Sequence, residues 1–335
     1  MIQTGLLAYG MSGRVFHAPF LAVHPGFQLR AVVERSRKTA AETYPGIVSY
    51  GSVAALLADP EIELVVVNTP NYTHFELAQQ ALRAGKHVLL EKPVATSPAE
   101  LEALLEAARA AGRRVLAYQN RRYDSDFQLV QQVLAGRQLG EVVEAHFRFE
   151  RYKLALNAKT FKEDPAVPGS GLLYDLGPHV LDQALHLFGP PRRVRKTVAA
   201  HRPESRVDDY FHLHLEYPGG LNVFVSGSLL AAAPAPAYVL HGTRGSFQKT
   251  RADVQETQLL QGLSPQDAAY GHEPTEAAGR LTLVDEHGAK TETAVAAPRG
   301  HYAALFEAVY QTLRHGQPYP VREEELRWQL EMLAQ

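Results

Sequence analysis

The chain has 335 residues, more than one hydrophobic core usually serves, and this predicts two domains or one large one. It has no cysteine, which excludes disulfides, thiol nucleophiles, thiolate-ligated zinc and iron–sulfur clusters. Lys plus Arg number 34 and Asp plus Glu 36, a formal net charge of -2 with no long run of either sign, so neither a nucleic acid nor a membrane surface is an expected partner.

Met1-Ile2-Gln3-Thr4-Gly5-Leu6-Leu7 carries no basic segment and reads as a first core strand rather than a secretory signal. The longest apolar run, 64–67, is closed at once by Asn68-Thr69-Pro70 and falls far short of the roughly 20 residues a membrane helix needs. The expected compartment is therefore the cytoplasm. Short apolar runs predict strands over 3–9, 28–34, 64–68, 88–91 and 115–119, with a weaker one near Val48. Helical patterns lie between them. One spans 72–84 and stops at Gly85; another spans 98–111 and stops at Gly112, with Ser97-Pro98-Ala99-Glu100 in the order a helix start prefers. Strands that are continuously apolar imply a parallel sheet covered on both faces, hence a doubly wound α/β domain over 1–121.

After residue 122 the period changes. The runs 142–149 and 210–217 alternate apolar and polar residues, and turn signals follow at Pro218-Gly219-Gly220, Gly242-Thr243-Arg244-Gly245 and His287-Gly288. Residues 122–335 thus predict an α+β domain with a large, open, mainly antiparallel sheet, a loop at 231–237, and helices over 302–314 and 322–333.

Ala8-Tyr9-Gly10-Met11-Ser12-Gly13 follows the first strand and opens a helical segment. A dinucleotide turn needs small residues there, because backbone N–H groups must approach a pyrophosphate at a helix N-terminus. Ala8 replaces the first fingerprint glycine, which is tolerable where φ is negative. Glu34, about twenty residues on, stands where a carboxylate would bond the ribose hydroxyls of NAD, whereas Arg35, Ser36, Arg37 and Lys38 suit the 2′-phosphate of NADP. Glu34 tips the expectation slightly to NAD. The alternative is a glycine turn with no ligand beside a solvated charge cluster.

In open α/β sheets ligands bind at the carboxyl ends of strands. Asn68-Thr69-Pro70-Asn71 and Glu91-Lys92-Pro93 sit at two such ends. In the second domain a helix over 175–187 would place Asp175, His179, Asp182 and His186 on one stripe. That stripe reads as a solvated face, a metal site or an acid/base pair over a substrate. The metal reading lacks suitably spaced further ligands, and no metal is expected.

The ordered set of the glycine turn, Glu91-Lys92-Pro93 and Asp175-x-x-x-His179-x-x-Asp182 resembles the glucose-fructose oxidoreductase, inositol dehydrogenase and MocA (Gfo/Idh/MocA) family over nearly the whole chain. Thr69-Pro70-Asn71-Tyr72-Thr73-His74, Ala84-Gly85-Lys86-His87-Val88 and Gln119-Asn120-Arg121-Arg122-Tyr123-Asp124-Ser125-Asp126-Phe127 add to the likeness. Gly13-Arg14-Val15-Phe16-His17-Ala18-Pro19-Phe20 is similar to the branch that contains scyllo-inositol dehydrogenases. Tyr123 departs from it, standing where that branch often has tryptophan.

The resemblance implies an NAD(P)-binding Rossmann domain and a second domain whose sheet joins subunits into a homodimer or homotetramer. Lys92, Asp175 and His179 would be the catalytic set. Gly10, Ser12, Gly13, Arg14, Glu34, Arg35, Thr69, Asn71 and His74 would bind cofactor, Glu91 and Asn120 would line the nicotinamide, and Arg122, Tyr152 and Asp182 would reach the substrate. The implied reaction moves a hydride between a secondary alcohol of a sugar or cyclitol and NAD(P). His179, with an ordinary pKa of about 6.5, is the better base, and Lys92 as a cation would stabilise the alkoxide. The rival functions are a cofactor-binding sensor without turnover, and a lyase or glycosidase that uses NAD only transiently.

Overall fold

The computed structural model describes residues 1–334. The chain forms two compact units. The first comprises Met1–Asn120 with Gln255–Tyr270 and His301–Leu326; the second comprises Arg121–Val254 with Gly271–Gly300 and the residues from Arg327 on.

In the first unit, strands β1 (Ile2–Leu6), β2 (Phe27–Val33), β3 (Val48–Tyr50), β4 (Leu64–Val67), β5 (His87–Leu90) and β6 (Val115–Ala117) form a parallel sheet in the order β3-β2-β1-β4-β5-β6. Leu64, Val65, Val66 and Val67 are wholly buried, as a central strand covered on both faces requires. The helix Pro98–Ala111 shows how local chemistry sets the boundaries. Ser97 Oγ accepts from the Glu100 N–H at 3.3 Å, and Glu100 Oε2 accepts from the Thr96 N–H and hydroxyl at 2.7 and 2.8 Å. The helix ends at Gly112 with φ 61°. The two later segments join this core through aromatic rings: Phe306, on the helix Ala303–His315, stacks on Phe20 at 5.1 Å, and Tyr270 and Tyr302 meet the same ring at 6.3 Å.

The second unit is an eight-stranded sheet of β7 (Val142–Glu150), β8 (Arg193–Ala199), β9 (Tyr210–Glu216), β10 (Asn222–Ser228), β11 (Tyr238–Gly242), β12 (Gly245–Lys249), β13 (Gly279–Val284) and β14 (Lys290–Val295), ordered β14-β13-β12-β11-β7-β10-β9-β8. Every neighbouring pair is antiparallel except β7 and β10. Burial alternates along β9 and β10. Phe211, Leu213, Leu215, Val223 and Val225 lie on the face covered by the helix Gly171–Phe188. On the other face Phe224 stacks between His146 and His214, at 4.9 and 4.7 Å. Among the described residues no helix is long and apolar enough to cross a membrane.

Candidate active site

In the first unit the strand order reverses at β1, whose neighbours β2 and β4 lead away in opposite directions, and this is where open sheets bind nucleotides. The turn after β1 is tied down from β4. Asn68 Oδ1 accepts from the Ala8 N–H at 3.0 Å and Asn68 Nδ2 donates to the Ala8 carbonyl at 2.9 Å. Ala8 keeps a negative φ, so its methyl group is accommodated. Gly13 is required by space: a Cβ there would come within 2.4 Å of the Ala8 carbonyl oxygen and 3.0 Å of Asn68 Nδ2. Gly10 and Arg14 are exposed, and the Arg14 N–H closes the turn on the Gly10 carbonyl at 3.0 Å. The crowding at Gly13 and the open face at Gly10, where a Cβ would meet nothing, form a backbone cradle that fits a pyrophosphate.

Glu34 is buried at the end of β2, and both its oxygens are engaged. Oε1 accepts from the Thr39 N–H at 2.7 Å, the Ala40 N–H at 3.2 Å and the Thr39 hydroxyl at 3.2 Å, while Oε2 accepts from the Ser49 hydroxyl. Burial alone would raise its pKa, but these donors outweigh it and hold the carboxyl below the usual range. Arg35, Ser36, Arg37 and Lys38, in the loop that Glu34 anchors, are all exposed.

Beyond β4, the Thr69 hydroxyl meets the Thr73 hydroxyl at 2.7 Å and Asn71 opens a short 3₁₀ turn. His74 is buried, with Nδ1 2.8 Å from the Pro93 carbonyl oxygen and Nε2 2.9 Å from that of Thr69, so it braces the ends of β4 and β5. Burial holds its pKa below the ordinary histidine value. Glu91 Oε1 accepts from the Ser12 hydroxyl at 2.7 Å and faces His17 Nε2 at 2.9 Å. Burial pushes Glu91 up, but the His17 and Ser12 contacts pull harder, and its pKa lies below the usual carboxylate range. Half-buried Lys92 follows, joined to Pro93 by a cis peptide bond. Asn120, buried, opens the 3₁₀ turn Asn120–Tyr123.

In the second unit the helix starts at Gly171, earlier than the predicted 175, because the Leu172 and Leu173 N–H groups donate to the Asp208 carbonyl and Oδ2 at 2.9 and 2.6 Å. Gly171 has φ 84°, and a Cβ there would lie 2.1 Å from Asp208 Oδ1. The predicted stripe divides in two. Toward the N-terminus, Asp175 is half-buried and His179 is buried. Lys162 Nζ donates to Asp175 Oδ1 at 2.7 Å, and Arg151 stands 4.0 Å from Oδ2. Asp175, Lys162 and Arg151 line a small polar pocket with Asn157, Gly171 and Asp208.

Toward the C-terminus, Asp182 receives a bidentate pair from Arg122, with Nε and Nη2 each at 2.7 Å and both side chains almost wholly buried. His186 meets Arg122 Nη1 and Gln131 Nε2, each at 3.1 Å. The structure therefore joins Arg122 to Asp182 inside the second unit's core, whereas Tyr152 is an exposed bridge residue opposite Leu230. Among the described residues no cluster of three or more His, Cys, Asp or Glu is arranged to hold a metal.

Asn68, His17, Lys162 and Arg151 take part in these arrangements but were not named from sequence as site residues. Asn68 lies in the strand-end run 68–71 and His17 in the run 13–20, so their positions are legible although their partners are not. Nothing in the sequence pairs Lys162 with a carboxylate thirteen residues away across a loop.

Comparison with known proteins places these features in context. Residues 2–119 match the Gfo/Idh/MocA model described as an oxidoreductase family with an NAD-binding Rossmann fold, and residues 127–248 match the Gfo/Idh/MocA C-terminal domain. The chain is 35% identical to the scyllo-inositol 2-dehydrogenase (NADP(+)) IolW of Bacillus subtilis, over 97% of this chain and 89% of that protein. It is 36% identical to an uncharacterized oxidoreductase of Schizosaccharomyces pombe, covering 97% of this chain and 93% of the relative. A crystal structure of an oxidoreductase from Bacillus cereus superposes with a TM-score of 0.90 at 30% identity, over 100% of this chain and 95% of that one.

Proposed function

We propose, given that the chain belongs to the Gfo/Idh/MocA family of oxidoreductases, that it oxidises a secondary alcohol of a sugar or cyclitol reversibly with a nicotinamide cofactor. The observation that carries this reading is the helix Gly171–Phe188, whose Asp175 lines a polar pocket and whose buried His179 lies one turn further on. A bound nicotinamide would supply the hydride acceptor, held by the Gly10 to Gly13 turn together with Glu91 and Asn120. His179 takes the hydroxyl proton, the Lys92 ammonium stabilises the developing alkoxide, and Asp175 orients the hydroxyl or the imidazole. A panel of sugars, inositols and their keto forms, read at the nicotinamide absorbance, tests this. Net reduced cofactor with at least one polyol is expected, and none with any would contradict it.

For the cofactor we infer NADP(H) over NAD(H). Glu34 as a ribose acceptor would favour NAD, but its carboxylate already holds four donors within the unit. Arg35, Arg37 and Lys38 are exposed beside it, the residue types that suit a phosphate, and the similar IolW protein is named for NADP(+). Fluorescence titration should give an NADPH affinity at least about tenfold tighter than NADH, with Arg35→Ser and Arg37→Ser removing most of the difference, as expected for charge-assisted phosphate contacts. Equal affinities would contradict it. The half-buried face of the second sheet, with Phe224 between His146 and His214, supports assembly into a homodimer or homotetramer. Light scattering at working concentration reads this directly.

A further inference from the structure

The turn after β1 and the end of β5 are separated in the sheet by β4, yet one carboxylate oxygen joins them. Glu91 Oε1 takes the hydroxyl of Ser12, inside the glycine turn, and Nε2 of His17, four residues further on. Ser12 stands at the N-cap position of the following turn without capping it, because its hydroxyl is committed to Glu91. Residues Gly13–His17 form a π-helical turn rather than an α-helical one, a departure that recurs at functional positions. His17 is wholly buried, its ring 4.3 Å from that of Tyr118 and 6.2 Å from that of Phe306. His17 Nδ1 is buried and makes no hydrogen bond, so the ring's proton belongs on Nε2, where Glu91 accepts it. Glu91 Oε2 carries no hydrogen bond among the described residues, and the side chain keeps 15% exposure.

We propose that His17 is a positioning residue: with Ser12 it fixes Glu91 Oε1 beside Lys92 and leaves Oε2 as an aimed acceptor for a hydroxyl or carboxamide donor of the cofactor's nicotinamide half, while the glycine turn itself stays held from β4 by Asn68. The inference rests on the dinucleotide reading of this unit. A carboxylate free to rotate could satisfy itself with water; held by two donors on one oxygen, it presents the other in a set direction. The adenosine half of the cofactor would not depend on this clamp.

The test compares NADPH with adenosine 2′,5′-bisphosphate, which lacks the nicotinamide half, by titration calorimetry on the full chain. His17→Phe keeps an aromatic ring in place and removes the N–H. It should weaken NADPH by about 10- to 100-fold, the range expected for a lost hydrogen bond to a charged group, and leave the bisphosphate within about twofold. His17→Gln, which returns a donor, should restore NADPH binding to within a few fold. Ser12→Ala removes the other donor to the same oxygen and should act in the same direction, so the test stands if the His17 variants fail to fold. Equal weakening of both probes, or NADPH binding unchanged in His17→Phe and Ser12→Ala, would overturn the proposal. Failure of the wild-type chain to bind either probe or NADH would overturn the dinucleotide reading on which it rests.

Discussion

Lys92→Ala and His179→Ala should each lower kcat by about 10²- to 10⁴-fold while NADPH binding stays within a few fold, the range a positioned acid or base contributes. The two losses should differ in kind. Removing His179 takes away the acceptor of the hydroxyl proton, so the residual rate should rise steeply with pH as hydroxide substitutes for it. Removing Lys92 takes away a charge that stabilises the alkoxide, and exogenous small amines should recover part of the rate. Asp175→Asn should be milder, because the amide keeps a hydrogen-bonding group in place although it weakens the contact with Lys162, 2.7 Å from Oδ1. A variant of Lys92 or His179 that kept more than about a tenth of the wild-type kcat would remove that residue from the catalytic set.

The second large effect concerns stability. Arg122 and Asp182 were expected at the substrate, but each is almost wholly buried and they bond to each other through two 2.7 Å contacts. Truncating one partner strands a buried charge, so Asp182→Ala should destabilise the second unit by about 3–5 kcal/mol. The double change Arg122→Met with Asp182→Leu should destabilise it by much less than the two single changes added together, since both charges leave at once. The chain's one tryptophan, Trp328, belongs to the second unit and reports its unfolding in urea by fluorescence. An Asp182→Ala chain with unchanged stability and a raised KM would instead place the carboxylate at the substrate.

How far the sequence could be read depends on whether a signal is local. The helix Pro98–Ala111 is legible because Ser97, Pro98 and Gly112 each act within one turn of its ends. Strand β4 is legible because four consecutive apolar residues have only one economical place, the centre of a covered sheet. Alternation along β7 and β9 shows two-faced strands, but periodicity does not name neighbours, and the parallel pairing of β7 with β10 had no signal. Nor did the packing of residues 255–270 and 301–326 with the first unit, which depends on Phe20 meeting Tyr270, Tyr302 and Phe306 across more than two hundred residues. At the candidate site the residue types were readable and their commitments were not. Glu34 has the identity and spacing of a ribose acceptor, yet Thr39, Ala40 and Ser49 take its oxygens. The four-member stripe Asp175, His179, Asp182 and His186 is one surface of a helix, but Arg122 claims its lower half from another segment of the chain.

The most direct test of the proposed chemistry follows a label from carbon to cofactor. A cyclitol or sugar that reduces the cofactor in the panel would be deuterated at its carbinol carbons and oxidised with NADP⁺, and the products analysed by mass spectrometry. One deuterium is expected in each reduced nicotinamide formed, in step with one ketone. Deuterium released to water, or substrate cleaved while the cofactor remains oxidised, would contradict it.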